Sequence, residues 1–285
     1  MSESMTKVAR VSINGRIQHA IVEWNDLFEL KGDLYSVFEK GEKIGRYHSS
    51  ELLPPVSPGT IYGLGVNHRD YLSFQPKLNR QPITEPIVFH KPTISAVGMA
   101  GKLIIPGQFK ESGLTGSGEL AVVMKTPCSK VLVEEAGKYI LGYTNAFDAL
   151  PKAAYQGSKE EKHANKGFPT FCPMGPYLVI GANINAMDQR TYYNDVLYLA
   201  GNTSGYIWSV EEAISRISQT NILQAGDVII MGAMAPTPDI QDNMEVFNDL
   251  RLLDGDMIVV ETDGLGRLIM GVAGEDLDPV RAGMR

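Results

Sequence analysis

Cysteine is scarce in this chain: there are two among 285 residues, Cys128 and Cys172. A disulfide framework needs more of them in a shorter chain, so both read as free thiols of an intracellular protein. Positive charge is scarce too. Lys and Arg number 26 against 33 Asp and Glu, a net charge of −7, whereas a nucleic-acid partner calls for a basic surface that neutralises phosphate. A local site for a small anion remains compatible with that balance. No run approaches ~18 consecutive apolar residues, so no membrane-spanning helix is expected. The opening MSESMTKVAR has no apolar signal core, and the cytoplasm is the expected location. Histidine and cysteine do not fall at zinc-ligand spacing. A metal, if held, would then be a hard cation bound by oxygen: Mg2+, Mn2+ or Ca2+.

What is present is ordinary globular composition, 44% apolar and 21% charged, in a chain long enough to bury about three quarters of its unfolded surface. The pattern is mainly β with a few helices. VARVSI, QHAIVEW, DLYSVFEK and KIGRYH read as strands, with Asn14-Gly15, Lys31-Gly32-Asp33 and Lys40-Gly41-Glu42 as the turns between them. They form a small N-terminal β domain, residues 1–56, closed by the Pro-rich LLPPVSPG, which should stay extended. The main domain spans 57–285. Its strands include IYGLGVN, PIVFHKP, KLIIP, ELAVVM, YILGYTNAFD, DVIIMGAM, DMIVVETD and GRLIMGV. The spacing predicts a short helix or turn over 133–139 and a clear helix over 209–218, with Ser209 as N-cap, Glu212 at the capping-box position and Val210, Ala213, Ile214 and Ile217 on one face.

Three strings carry chemistry. In GSGELAVVM, Glu119 stands at the start of an apolar strand, where burying a carboxylate is costly unless it is paired or metal-bound; the plain alternative leaves its head in water. In YILGYTNAFD, Asp148 ends a strand, either as a turn residue or as a second oxygen ligand beside Glu119. In HANKGFPTFCPMGP, Lys166 sits in a Gly/aromatic/Pro loop, either solvated or poised to pair with a carboxylate or enolate.

GYTNAFD, KGFPTFCPMGPYLV, LQAGDVIIMG and GLGRLIMGV follow one another in an order and spacing that resembles the fumarylacetoacetate hydrolase superfamily. IYGLGVNHRDYLS, PIVFHKP and the N-terminal β unit resemble it too, so the likeness covers roughly residues 1–275. It implies a mixed β-sandwich roll with a small N-terminal β domain, usually dimeric, holding Mg2+ or Mn2+ (with Ca2+ able to stand in within crystals). Such enzymes cleave or rearrange 2-oxo and 1,3-dicarbonyl acids. Carried over, Glu119 and Asp148 are metal ligands, and Lys166 contacts substrate. Ser117 stands where the first Glu of a Glu-x-Glu pair is usual, and would act through water. The positions of a usual catalytic His and Glu fall near Tyr71 and Phe74, an Arg becomes Lys152, and a Gly-Thr-Pro reads Gly232-Ala233-Met234. The NHR after the first strand and the weakened metal pair resemble the homoprotocatechuate-pathway isomerase/decarboxylase proteins, in which one half or subunit is degenerate.

Hydrolysis needs a base to activate water, worth ~10²–10⁴-fold. Decarboxylation and tautomerisation need only a sink for the enolate. The loss at positions 71 and 74 therefore shifts the expectation toward lyase or isomerase chemistry. Replacement catalytic groups are His68 and Asp70, in the loop after the first main-domain strand; the alternative for His68 is a loop residue bonded to backbone. His163 is either a surface residue or part of a closing loop. Tyr71, Lys152, His163, Gly232 and Ala233 are the expected substrate contacts. The expected partner is a small anionic 2-oxo acid, with a homodimer or a hetero-oligomer with a paralogue as the assembly. A degenerate structural subunit and a keto-acid-binding protein are the competing functions.

Overall fold

The computed structural model describes residues 5–74, 83–157, 161 and 164–275. Strand dominates, in two mixed sheets, as the sequence predicts. Along the larger sheet the order is Phe38–Arg46, Asp26–Gly32, Arg16–Glu23, Thr6–Ile13, Cys172–Ile180, Ile140–Pro151, Leu114–Met124, Val228–Ile230, Ile61–Gly65 and Ile87–Lys91. The smaller sheet runs Ala235–Pro236, Val196–Asn202, Asp188–Tyr193, Met257–Thr262, Gly266–Gly274 and Leu103–Ile105. The N-terminal strands share the larger sheet, because Thr6–Ile13 pairs antiparallel with Cys172–Ile180. Among the described residues no helix is long and apolar enough to cross a membrane.

The N-terminal strand limits differ from those read from the sequence. Asp26–Gly32 is itself a strand, and the turn follows it: Gly32 has φ +106°, and the Asp33 carboxylate accepts from Tyr35 N at 3.1 Å and Ser36 Oγ at 3.0 Å. Phe38–Arg46 then runs unbroken through Lys40-Gly41-Glu42. It is the outermost strand, where a glycine costs little packing. The helix Val210–Thr220 forms as expected. Ser209 Oγ accepts from Glu212 N at 3.2 Å, and Glu212 Oε2 accepts from Ser209 N at 2.8 Å, a complete capping box.

Two strands matter most for chemistry. Leu114–Met124 and Ile140–Pro151 pair antiparallel along their whole length. Side chains alternate across a sheet. Leu120, Val122 and Phe147 therefore join the large apolar cluster toward the second sheet, while Ala121, Val123 and Ala146 join a smaller one on the other face. Gly118 faces the second sheet, and a Cβ there would strike Thr191 and Val260. That glycine lets the sheets close while its neighbours Ser117 and Glu119 project the opposite way.

Candidate active site

In the register of the two central strands, Ser117 lies opposite Asp148 and Glu119 opposite Ala146. Residues two apart on a strand share a face, and directly opposed residues do too. The pairing thus brings Ser117, Glu119 and Asp148 together. The strands extend further than the sequence suggested: one begins at Leu114 and the other continues to Pro151. Both carboxylates are therefore inside strands, with residue exposures of 2% for Glu119 and 4% for Asp148.

Carboxylates at that depth must be paired or hydrogen-bonded. Every oxygen here has a partner. Glu119 Oε1 accepts from Ser117 Oγ at 3.1 Å, and Oε2 accepts from the Gly232 N–H at 2.8 Å. Asp148 Oδ1 accepts from Lys91 Nζ at 2.7 Å, and Oδ2 accepts from Lys166 Nζ. Lys91 Nζ also reaches the Ala149 carbonyl at 3.3 Å. Lys166 lies 4.3 Å above the Phe89 ring centroid, a cation–π contact. Burial alone would raise the Asp148 carboxyl, but the Lys166 and Lys91 ammonium groups outweigh it and hold the group below its usual range. Glu119 behaves oppositely. Burial, reinforced by the Asp148 charge, pushes it up to about 8. The Cys172 thiol, near this cluster, is pushed up by burial to about 12, so it stays a thiol at neutral pH.

The sequence reading passed over Lys91. Its signal was present in PIVFHKP: Phe89 and Lys91 fall on one face of the strand Ile87–Lys91, and both are buried. A lysine on an apolar face requires an anion, and Asp148 supplies it. Lys91→Met should leave Asp148 leaning on Lys166 alone. The expected loss of stability is roughly 1–3 kcal/mol, the scale of a hydrogen bond to a charged group, read as a lower midpoint in urea unfolding.

The carboxylates stand at one end of a cavity of about 340 Å³. Ser117, Glu119, Asp148 and Lys166 give it a polar end. Leu64, Leu150, Tyr155, Tyr198, Leu199 and Phe247 line much of the remainder. Tyr71 and Ala233 also line it, and Gly232 touches Glu119 through its N–H. Those four expected contacts — Lys166, Tyr71, Gly232 and Ala233 — therefore meet at the site.

Other expected residues are placed elsewhere. His68 is 1% exposed and does not line the cavity. Its Nε2 lies 3.0 Å from the Asn202 carbonyl, and its Nδ1 accepts from Asp70 N at 3.3 Å, so Nε2 carries the proton. Its ring lies where a Cβ on Gly205 would have to be. Both ring nitrogens face backbone groups, the arrangement that the loop alternative describes. The Asp70 side chain is 74% exposed and also outside the cavity lining. Lys152 is buried, which lowers its pKa. Its Nζ donates to the Phe247 carbonyl at 3.2 Å, so the Phe247 backbone takes the charge that was expected to meet substrate. His163 lies outside the described residues.

Among the described residues no cluster of three or more His, Cys, Asp or Glu side chains converges. The wall offers two carboxylates and the Ser117 hydroxyl. All are oxygen donors of the kind that Mg2+ and Mn2+ take. Glu119, raised by burial first and by the Asp148 charge second, is a group whose ionised form a cation at this wall would favour. The set fits a hard divalent cation in kind and is one carboxylate short in charge. Both oxygens of Asp148 also carry ammonium partners that an ion must share.

Residues 60–273 match the family model for the fumarylacetoacetate (FAA) hydrolase C-terminal domain. An uncharacterized protein of Archaeoglobus fulgidus is 32% identical over 261 residues, covering 92% of this chain and 94% of that protein. The mitochondrial oxaloacetate tautomerase of Xenopus laevis is 30% identical over 230 residues, covering 79% of this chain and 69% of that one. The solved structure of a 5-carboxymethyl-2-hydroxymuconate delta-isomerase from Mycobacterium smegmatis superposes with a TM-score of 0.79 at 22% identity, over 94% of this chain and 100% of that one, which speaks for a shared fold. Enzymes of this family generally use divalent metals. By the family match, its order of motifs and its two-sheet fold, this chain belongs to the fumarylacetoacetate hydrolase family.

Proposed function

We propose that the chain is an enzyme acting on a 2-oxo or 1,3-dicarbonyl acid through a stabilised enolate, with tautomerisation or decarboxylation ahead of C–C bond hydrolysis. The observation that carries it is Asp148 flanked by Lys91 and Lys166 at the polar end of an otherwise apolar cavity. Among the described residues, Lys166 is the cation that borders the cavity. Its ammonium is placed to donate to a substrate oxygen as charge develops there, and Asp148 and Phe89 orient it. Preorganised donors of this kind act strongly in a dry site. The apolar walls lower the local polarity around it, which would sharpen the same effect. Glu119, Asp148 and Ser117 would hold Mg2+ or Mn2+. Such an ion, when bound, supplies Lewis-acid polarisation of the substrate's oxygens.

Hydrolysis is placed second because a water-activating pair is lacking where the family resemblance puts it. Tyr71 lines the cavity, and Phe74 packs edge-on against Phe247 at 5.0 Å. The relative named as an oxaloacetate tautomerase supports the same order. Oxaloacetate tautomerisation and decarboxylation should proceed, with EDTA slowing both and Mn2+ restoring them. Robust acylpyruvate cleavage with neither of those activities would reverse the ordering. The competing reading, a subunit without turnover, rests on Ser117, and inertness of metal-replete protein toward all of these substrates would favour it.

Ser117 makes a separate prediction. It shares a face with Glu119 and opposes Asp148, so Ser117→Glu places a third carboxylate at the same wall. Hard-cation affinity follows ligand charge count. Calorimetric titration should show Mn2+ binding at least about tenfold tighter in the variant, the sense in which ligand charge tunes such sites. An unchanged or weaker affinity would mean that these oxygens do not share an ion.

A further inference from the structure

The apolar end of the cavity has a composition that the proposed chemistry alone does not require. Tyr71 and Tyr155 bring their hydroxyls to 3.5 Å at one part of the lining. Tyr155 and Tyr198 pack on Phe247 with centroids at 6.4 and 6.1 Å. Leu150 and Leu199 line the same region. Among the described lining residues, Lys166 alone is cationic, and it is drawn to Asp148 at the polar end. Lys152, the nearby candidate for gripping a second carboxylate, is buried against the Tyr155 and Phe247 rings at 5.7 Å from each centroid, with its amine bonded to a backbone carbonyl.

A keto diacid placed with its 2-oxo-carboxylate at Lys166 would thrust its far carboxylate among these aromatic rings. There it would meet tyrosine hydroxyls but, among the described lining residues, no second cation, a poorer setting for a charge than an ion pair. A flat apolar group would instead meet ring edges and faces in the arrangements that aromatic pairs prefer. The cavity, about 340 Å³, also lies within the range of pockets that enclose drug-sized ligands, ~300–1,000 Å³, which is ample for a six-membered ring beyond the keto acid.

We propose that the site selects 2-oxo or 1,3-dicarbonyl acids whose far end is an uncharged aromatic group, with Tyr71, Tyr155, Tyr198 and Phe247 as the specificity-determining wall. This rests on the proposed function for the reacting end and adds the identity of the tail. In tautomerisation the step balances within the substrate: a C3 proton leaves, the C2 oxygen gains one, and nothing is oxidised or reduced.

The test compares phenylpyruvate with oxaloacetate, two 2-oxo acids differing at C3. Tautomerisation is followed by absorbance and binding by calorimetry, each on the Mn2+-loaded protein. Phenylpyruvate is expected to lead by at least about tenfold in kcat/KM, the least that one well-placed apolar increment supplies. Tyr71→Arg, on the short helix Arg69–Phe74, puts a cation beside the wall. It should move that ratio toward oxaloacetate by about tenfold. Turnover of both acids with oxaloacetate preferred would overturn the aromatic tail and leave the enolate chemistry standing. Tighter binding of phenylpyruvate without turnover of either would keep the tail and overturn the chemistry. Binding of neither, or a Tyr71→Arg ratio equal to wild type, would overturn the tail assignment.

Discussion

Lys166→Ala is expected to lower kcat on the preferred 2-oxo acid by about 10²–10³-fold, the cost of removing one preorganised donor to a developing oxyanion. Its fold and metal binding should persist. Lys166 is the partly exposed member of the cluster, at 14% for its side chain against 0% for Lys91. Its removal leaves Asp148 paired with Lys91, so no buried charge is abandoned. The comparison to make is kcat with kcat/KM, alongside Mn2+ titration of both proteins. Equal losses in the two kinetic parameters mark an interaction made only in the transition state. Unchanged kinetics would show that the loop carrying Lys166 is structural.

Asp148→Ala should be the more damaging change, because it strikes stability as well as chemistry. Two ammonium groups converge on this carboxylate, and the Lys91 side chain is fully buried. Removing the shared anion strands that charge beside another of the same sign. Breaking a buried pair in this way costs about 3–5 kcal/mol. Mn2+ binding should disappear together with turnover. Asp148→Asn keeps the volume and one acceptor, so it should recover part of the stability without recovering Mn2+ binding or rate. If the alanine variant unfolds at the same urea concentration as wild type, the ion triad carries no structural load and the charge account of this wall is wrong.

Much of this was readable in the residues. The 209–218 helix had its cap and its face written locally, and local signals suffice where one element decides its own ends. The order of motifs, through the family resemblance, assigned Glu119, Asp148 and Lys166 to one site, and all three line one cavity. The limits of legibility were long-range. Whether Glu119 opened a strand or lay within one depended on its pairing with residues around 146–148, which strand propensity does not encode. His68 had the chemistry of a base, and its fate was decided by Gly205 and the Asn202 carbonyl, remote in the chain. Lys152 matched a functional position by sequence, yet its amine donates to the Phe247 carbonyl. Lys91 was the reverse case: its alternation in PIVFHKP announced burial, but its partner could be named only once the strands were set side by side.

The central claim, that this wall stabilises an enolate of a 2-oxo acid, has a direct test. Phenylpyruvate and oxaloacetate can be incubated in D2O with Mn2+-loaded protein while NMR follows loss of the C3 proton signal. The account predicts exchange well above the buffer rate with wild type on at least one of them, strongly reduced in Lys166→Ala and absent in Asp148→Asn. Exchange at the buffer rate with wild type on both acids, or equal exchange in all three proteins, would contradict it.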